Sequence, residues 1–128
     1  MEKQFKPTGY NSLSPYFIVD DAQKLIDLLS GIFSAKELRR FDLPNGKIMH
    51  AEIQIDDSVI MLADSSEQYP AITLLLHVYV TLVEETFKKA MNLGCELVES
   101  PTQKEGDPDC RGTFKDFAGN TWSIGTQR

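Results

Sequence analysis

Residues 47–64, KIMHAEIQIDDSVIMLAD, admit few folds. Apolar side chains alternate with His50, Glu52 and Gln54 before Asp56-Asp57, and an apolar run resumes after it. Period-two alternation around a two-residue turn predicts a β-hairpin. With the turn at Asp56-Asp57, Ile55 faces Ser58, Glu52 faces Met61 and His50 faces Ala63. A slip of one residue would exchange the faces, so the register is fixed by burial. One face is oily: Met49, Ala51, Ile53, Ile55, Ile60 and Leu62. The other is mixed: His50, Glu52, Gln54, Val59 and Met61. The oily face needs a covering layer.

The flanking chain supplies it. Residues 12–19 (SLSPYFIV) read as a strand, and Asp20 or Asp21 caps a helix carrying Ala22, Leu25, Ile26, Leu29 and Phe33 at helical spacing. Residues 37–42 are a second strand, followed by a turn at Pro44-Asn45-Gly46. After a polar linker, the order repeats. Residues 72–80 form a strand, and Thr81-x-x-Glu84 has a capping-box spacing. Leu82, Phe87, Ala90, Met91 and Leu93 fit a helix that ends at Gly94. Residues 95–99 read as a strand and the breaker-rich stretch 101–109 (PTQKEGDPD) as a loop, which could serve as a lid or a connector. Short strands at 111–115 and 120–125 flank a turn at Ala118-Gly119. The expected fold is therefore α+β: tandem βαβββ modules forming a curved eight-stranded mixed sheet, with the helices on the convex face. One domain is expected over 1–128, with modules at about 10–64 and 72–126 and a linker at 65–71.

A chain of 128 residues can bury a sizeable core. Its net charge of −6 disfavours nucleic acid as a partner, because phosphates would be repelled. No apolar run is long enough for a membrane span, and Met1-Glu2-Lys3-Gln4 does not open a signal peptide. Cys95 and Cys110 match no zinc or redox spacing, so a cytoplasmic protein with free thiols is expected.

The other strands divide as the hairpin does. Phe17 and Val19 oppose Ser14, Tyr16 and Ile18. Leu74, Leu76, Val78 and Val80 oppose Thr73, Leu75, His77 and Tyr79. Trp122 and Ile124 oppose Thr121 and Ser123. The mixed faces either line a small-molecule cavity or form a half-exposed sheet surface. Glu52 on such a face is either a desolvated base or counterion, or the partner of Arg39 or Arg40 in an ion pair. His77 is either a ligand-contacting acid or base, or a hydrogen-bonded wall residue. Tyr16, Tyr79 and Met61 form a wall for a planar or cationic guest, or pack as ordinary neighbours. Phosphate-binding loops and nucleophile elbows are absent.

The tandem modules, the early YFIVDDAQKLIDLL, the KIMHAEIQIDDSVIML hairpin and the late KDFAGNTWSI together resemble the vicinal oxygen chelate superfamily. That superfamily includes glyoxalase I, bleomycin-resistance proteins and extradiol dioxygenases, and the hairpin and DxxGNxW pattern are similar to its PhnB-like subgroup. The resemblance implies a cup-shaped sheet around a cavity, usually in a homodimer. In metal-dependent members, His or Glu ligands stand on the first and last strand of each module. Carried onto this chain, those positions are Ser14, Met61, Leu75 and Ser123. None suits Zn, Ni, Fe or Mn, which take imidazole or carboxylate here. His50, Glu52 and His77 would have to converge to make an alternative set.

The expectation is a metal-independent protein that sequesters a small organic molecule, cationic or aromatic, as bleomycin-resistance proteins do, with no cofactor. The candidate ligand-binding residues are Tyr16, His50, Glu52, Gln54, Met61, His77, Tyr79 and Ser123. A metal-dependent glyoxalase- or dioxygenase-type enzyme is the alternative, and a module with a self-filled cavity is a third possibility.

Overall fold

The structure, a computed structural model, describes residues 4–128. The expectation about a signal peptide rests in part on residues 1–3, which lie outside that range. The first module runs β1 (Tyr16–Val19), α1 (Ala22–Phe33), β2 (Lys36–Asp42), β3 (Ile48–Ile55) and β4 (Ser58–Asp64). The second runs β5 (Leu75–Tyr79), α2 (Val83–Asn92), β6 (Glu96–Gln103), β7 (Asp109–Lys115) and β8 (Thr121–Gln127). The expected α+β order is present. The eight strands are hydrogen-bonded as two four-stranded mixed sheets, ordered β1-β4-β3-β2 and β5-β8-β7-β6. In each, the first strand pairs parallel to the last and the rest are antiparallel. The parallel pairing requires the long crossover that each helix and its following hairpin provide.

The hairpin register is as the sequence predicts: Ile55 opposes Ser58 and Glu52 opposes Met61. Met49 is a correction. It does not lie under a helix but is 52% exposed, and Ile48 is buried in its place. Between Phe41-His50 and Asp42-Ile48 the pairing of β2 with β3 skips Met49, so a bulge reverses the alternation there. Val59, expected on the mixed face, is fully buried there, and its N–H donates to Asn11 Oδ1 at 3.2 Å.

Helix α1 starts at the N-cap Asp21, whose carboxylate accepts from the Lys24 N–H. It buries Ala22, Leu25, Ile26, Leu29 and Ile32, an apolar stripe on one face. Asp64, at the end of β4, accepts from the N–H groups of Ala22 and Ile48 and so ties the helix start to β3. Helix α2 departs from the capping-box reading: its N-cap is Leu82, without a side-chain cap. The Val83 N–H is satisfied instead by Thr126 Oγ1 on β8. Strand β6 also outruns its prediction, continuing through Pro101 to Gln103. Proline is tolerated because β6 is an edge strand and its register shifts between Glu99 and Thr102.

The oily faces of both sheets, covered by the helices, form one core. Trp122 is its centre: fully buried, stacked on Phe17 at 5.6 Å and tilted against Phe33 at 5.4 Å. These are partners from the other module. The DxxGNxW pattern explains how Trp122 is held. Asp116, itself buried, accepts from the N–H groups of Ala118 and Asn120, from Asn120 Nδ2 and from Trp122 Nε1. Asn120 Oδ1 then accepts from the Leu74 N–H just before β5. Gly119, at φ +87, makes the turn between them. None of the described helices is long and apolar enough to cross a membrane.

Candidate functional site

Seven of the eight candidate residues fall into two clusters, one on the mixed face of each sheet. Tyr16, His50, Glu52 and Met61 belong to the first. His77, Tyr79 and Ser123 belong to the second. Gln54 lies apart, in a 730 Å³ cleft at the module junction that Tyr79 also borders.

In the first cluster, Glu52 is 5% exposed and sits between two donors. Tyr10 Oη donates to Glu52 Oε1 at 2.5 Å, and His50 Nε2 lies 2.7 Å from Glu52 Oε2. On the other side of the ring, His50 Nδ1 lies 2.8 Å from the Tyr16 hydroxyl. Arg39 Nε stands 3.8 Å from Glu52 Oε1, and its guanidinium lies 5.5 Å from the Tyr10 ring centre. Burial works against ionisation of Glu52. Hydrogen bonds from Tyr10 and His50, with the charge of Arg39 nearby, outweigh it and hold the carboxyl below its ordinary range. This overturns the reading of Glu52 as a base raised by desolvation: it is an ionised anchor, and the ion pair with Arg39 is present. The Tyr16 hydroxyl is pushed up by burial and by the Glu52 charge, so it stays protonated.

The relay ends at a cavity of about 690 Å³. Tyr16, Ile18, Met49, Ala63, Leu43 and Tyr69 supply its apolar wall, and Lys47, Asp64 and Glu67 add charge at its edge. The Tyr16 hydroxyl, hydrogen-bonded to His50, is the polar group that this relay presents at the cavity wall. The Met49 bulge, which spoiled the alternation, is what turns that side chain toward this cavity.

The second cluster is organised by Arg111, a residue that alternation did not single out. Its Nε donates to Asp107 Oδ2 at 2.9 Å and Nη2 to Asp109 Oδ2 at 2.8 Å. Nη1 lies 3.2 Å from His77 Nε2. A guanidinium only donates, so Nε2 accepts and the imidazole is neutral with its proton on Nδ1. Desolvation and the Arg111 charge both hold His77 below its ordinary value. Tyr79 Oη donates to Asp109 Oδ2 at 2.7 Å, and its ring meets His77 edge-on at 4.6 Å. Ser123 pairs with His77 along β5-β8. Gly125 makes room: a Cβ there would lie 3.2 Å from His77 Nε2. Stretch 101–109 is not a free lid, since Asp107 and Asp109 hold Arg111.

Ser14, Met61 and Ser123 carry no imidazole or carboxylate, and Leu75 is 77% exposed on β5. The alternative set does not converge within the chain: His50 and Glu52 bond each other on one sheet, while His77 bonds Arg111 on the other. Among the described residues no three His, Cys, Asp or Glu side chains cluster as ligands. The residues do not fit the divalent metal of the metal-dependent relatives.

Tyr10, Asp109 and Arg111 were missed. Tyr10 lies in an aperiodic stretch. Asp109 sat inside a segment read as loop, although DxR at 109–111 was a legible acid–base pair of period two.

Comparison with known proteins agrees with this architecture. Residues 11–124 match the Glyoxalase/Bleomycin resistance protein/Dioxygenase superfamily, and the chain belongs to that family. It is 33% identical to an uncharacterized protein of Mycobacterium bovis over 126 residues, 89% of this chain and 82% of that one. The fold is similar to the crystal structure of TioX from Micromonospora sp. ML1, with a TM-score of 0.78 and 19% identity over 92% of this chain and 99% of that one. It is also similar to a PhnB protein from Bacillus cereus, described as a putative 3-demethylubiquinone-9 3-methyltransferase. There the TM-score is 0.73 at 13% identity over 91% of this chain and 99% of that one.

Proposed function

We propose that the protein binds a small organic molecule without a metal, as a sequestering member of its family, and that the molecule is aromatic or cationic. The observation that carries this reading is the relay from Glu52 through His50 to Tyr16, which ends at the wall of the 690 Å³ cavity. Such a wall offers apolar enclosure and a hydroxyl oxygen that can accept, backed by a buried negative charge. It favours guests with N–H, O–H or ammonium donors on a planar frame. On the second sheet, Arg111 and Asp109 neutralise each other, and His77 and Tyr79 line a separate pocket of about 360 Å³.

The proposal includes a cytoplasmic homodimer, with neither nucleic acid nor membrane as partner. Exposed apolar residues beside the clusters, Leu75 and Tyr79 on β5 with Leu97 and Val98 on β6, suit coverage by a second copy.

The test is a thermal-shift screen of the tag-free protein with cationic aromatic compounds, followed by calorimetry. Metal content is measured after incubation with Zn, Ni, Fe(II) and Mn and desalting. Stabilisation by such compounds, weakened at least tenfold in Tyr16→Ala and with no metal retained, is expected. About one retained equivalent of one metal, lost in His50→Ala or Glu52→Ala, would establish the metal-dependent alternative instead.

A further inference from the structure

Resting on the binding reading, we infer that residues 4–14 form a displaceable strap. Its Tyr10 fills, with its own phenol, a subsite that Glu52, Arg39 and His50 build for a hydroxyl-bearing aromatic ligand.

The argument begins with what Glu52 needs. A buried carboxylate requires donors on both oxygens. His50, fixed on the same strand two residues away, satisfies Oε2. Oε1 is satisfied from outside the sheet, by a side chain 42 residues earlier in the chain, at 2.5 Å. The same phenol ring lies against the Arg39 guanidinium at 5.5 Å. The subsite therefore presents a fixed acceptor and a fixed cationic plane, and the group now held there is a phenol. Chemistry that can replace it must offer the same features: a planar ring over Arg39 and an O–H aimed at Oε1.

The segment that delivers Tyr10 is lightly attached. Phe5 is 87% exposed and Leu13 84% exposed, so neither is anchored in a core. Toward the sheet, residues 4–14 are held by the Tyr10–Glu52 bond, the Asn11–Val59 bond and the Tyr10–Arg39 contact. After them, Pro15 accepts from the Met61 N–H and joins the segment to β1. A stretch with few apolar contacts and few hydrogen bonds opens at low cost compared with the sheet beneath it. Opening would uncover Glu52 Oε1 while leaving the His50–Tyr16 relay in place. The uncovered subsite would then extend the cavity at Tyr16 through that relay. A guest entering it pays the cost of displacing Tyr10, so apparent affinity is set by the strap as well as by the guest.

The probes are tyramine, which carries a phenol and an ammonium, and phenethylamine, which lacks the hydroxyl. Calorimetry or ligand-observed NMR is run on wild type, Tyr10→Phe, Tyr10→Ala and Tyr10→Ala/Glu52→Gln. Tyramine should bind Tyr10→Ala at least about tenfold more tightly than wild type, the size expected for one competing hydrogen bond to a charged group. Phenethylamine should gain less, and the double variant should lose the gain. Absence of tyramine binding to Tyr10→Ala, or equal affinity for wild type and Tyr10→Ala, overturns the strap. If the cationic aromatic compounds still bind and depend on Tyr16, the general binding reading survives that result. A ligand-free check is amide exchange. Tyr10→Phe should raise exchange in residues 5–14 and at Val59 about tenfold while β3 stays protected, and unchanged exchange refutes the attachment on which the strap depends.

Discussion

The two modules share a topology and place polar clusters at corresponding points, yet they solve opposite electrostatic problems. In the first, a buried anion, Glu52, is held between Tyr10 and His50, with Arg39 at a distance. In the second, a cation, Arg111, is clamped by two aspartates and turned against a neutral His77. The position on the first strand that pairs with the last is Tyr16 in one and His77 in the other, opposite Met61 and Ser123. A duplicated scaffold thus fixes where side chains point and leaves their chemistry open. The first cluster keeps its partner on a detachable segment. The second draws all its members from its own sheet and the adjoining loop.

The largest expected effect tests whether the modules are one cooperative unit. Trp122→Ala removes the side chain that packs on Phe17 and Phe33 of the other module. Stability should fall by about 3–5 kcal/mol in denaturant unfolding. A fall below about 1 kcal/mol would mean that the modules do not share this core.

A smaller effect sharpens the contrast between clusters. Asp109→Asn weakens a buried anion's pairing with Arg111 at 2.8 Å and should cost about 2 kcal/mol, while Glu52→Gln should cost about 1 kcal/mol because its guanidinium partner, Arg39, stands farther off at 3.8 Å. The reverse order would mean that the first cluster is the more rigid. The pH dependence follows from the sign of the Glu52 shift. Its folded carboxyl titrates below the ordinary 4.5, so its contribution is complete above that value and is lost as the pH falls through the folded value. Glu52→Gln should flatten the stability profile below about pH 4.5, as read from urea unfolding at several pH values.

The smallest effect is spectroscopic. His77 should titrate below its ordinary 6.5, with the proton of the neutral ring on Nδ1. Arg111→Gln should raise that value in an NMR titration by removing the adjacent charge. No upward movement would leave desolvation as the sole cause.

Much of this was legible in residue order. The hairpin register followed from Asp56-Asp57, and the helix stripes from their spacing. Alternation found Glu52, His50, His77 and Tyr79 because each lies on a regular strand. It failed at Met49, where a bulge adds one residue to β3, and at Pro101, where an edge strand tolerates what a central one would not. It could not pair Tyr10 with Glu52, since nothing in an aperiodic segment says which distant strand it will cross. It also left two readings of Glu52 open, a desolvated base and an ion pair with Arg39 or Arg40, and could not choose between them. Desolvation is visible in a mixed apolar face, but the donors that outweigh it come from other parts of the chain.

The Asp116 arrangement bears on the order of folding. Its donors, the N–H groups of Ala118 and Asn120, Asn120 Nδ2 and Trp122 Nε1, all follow it within six residues. Closing so short a loop costs little chain entropy, whereas pairing Tyr16 with Met61 must close 61 − 16 = 45 residues. The β7-β8 hairpin is therefore expected to form early, with Trp122 already oriented when β1 and α1 arrive. Stopped-flow refolding would read this directly. Asp116→Asn should slow the folding limb, while Glu52→Gln should act mainly on unfolding.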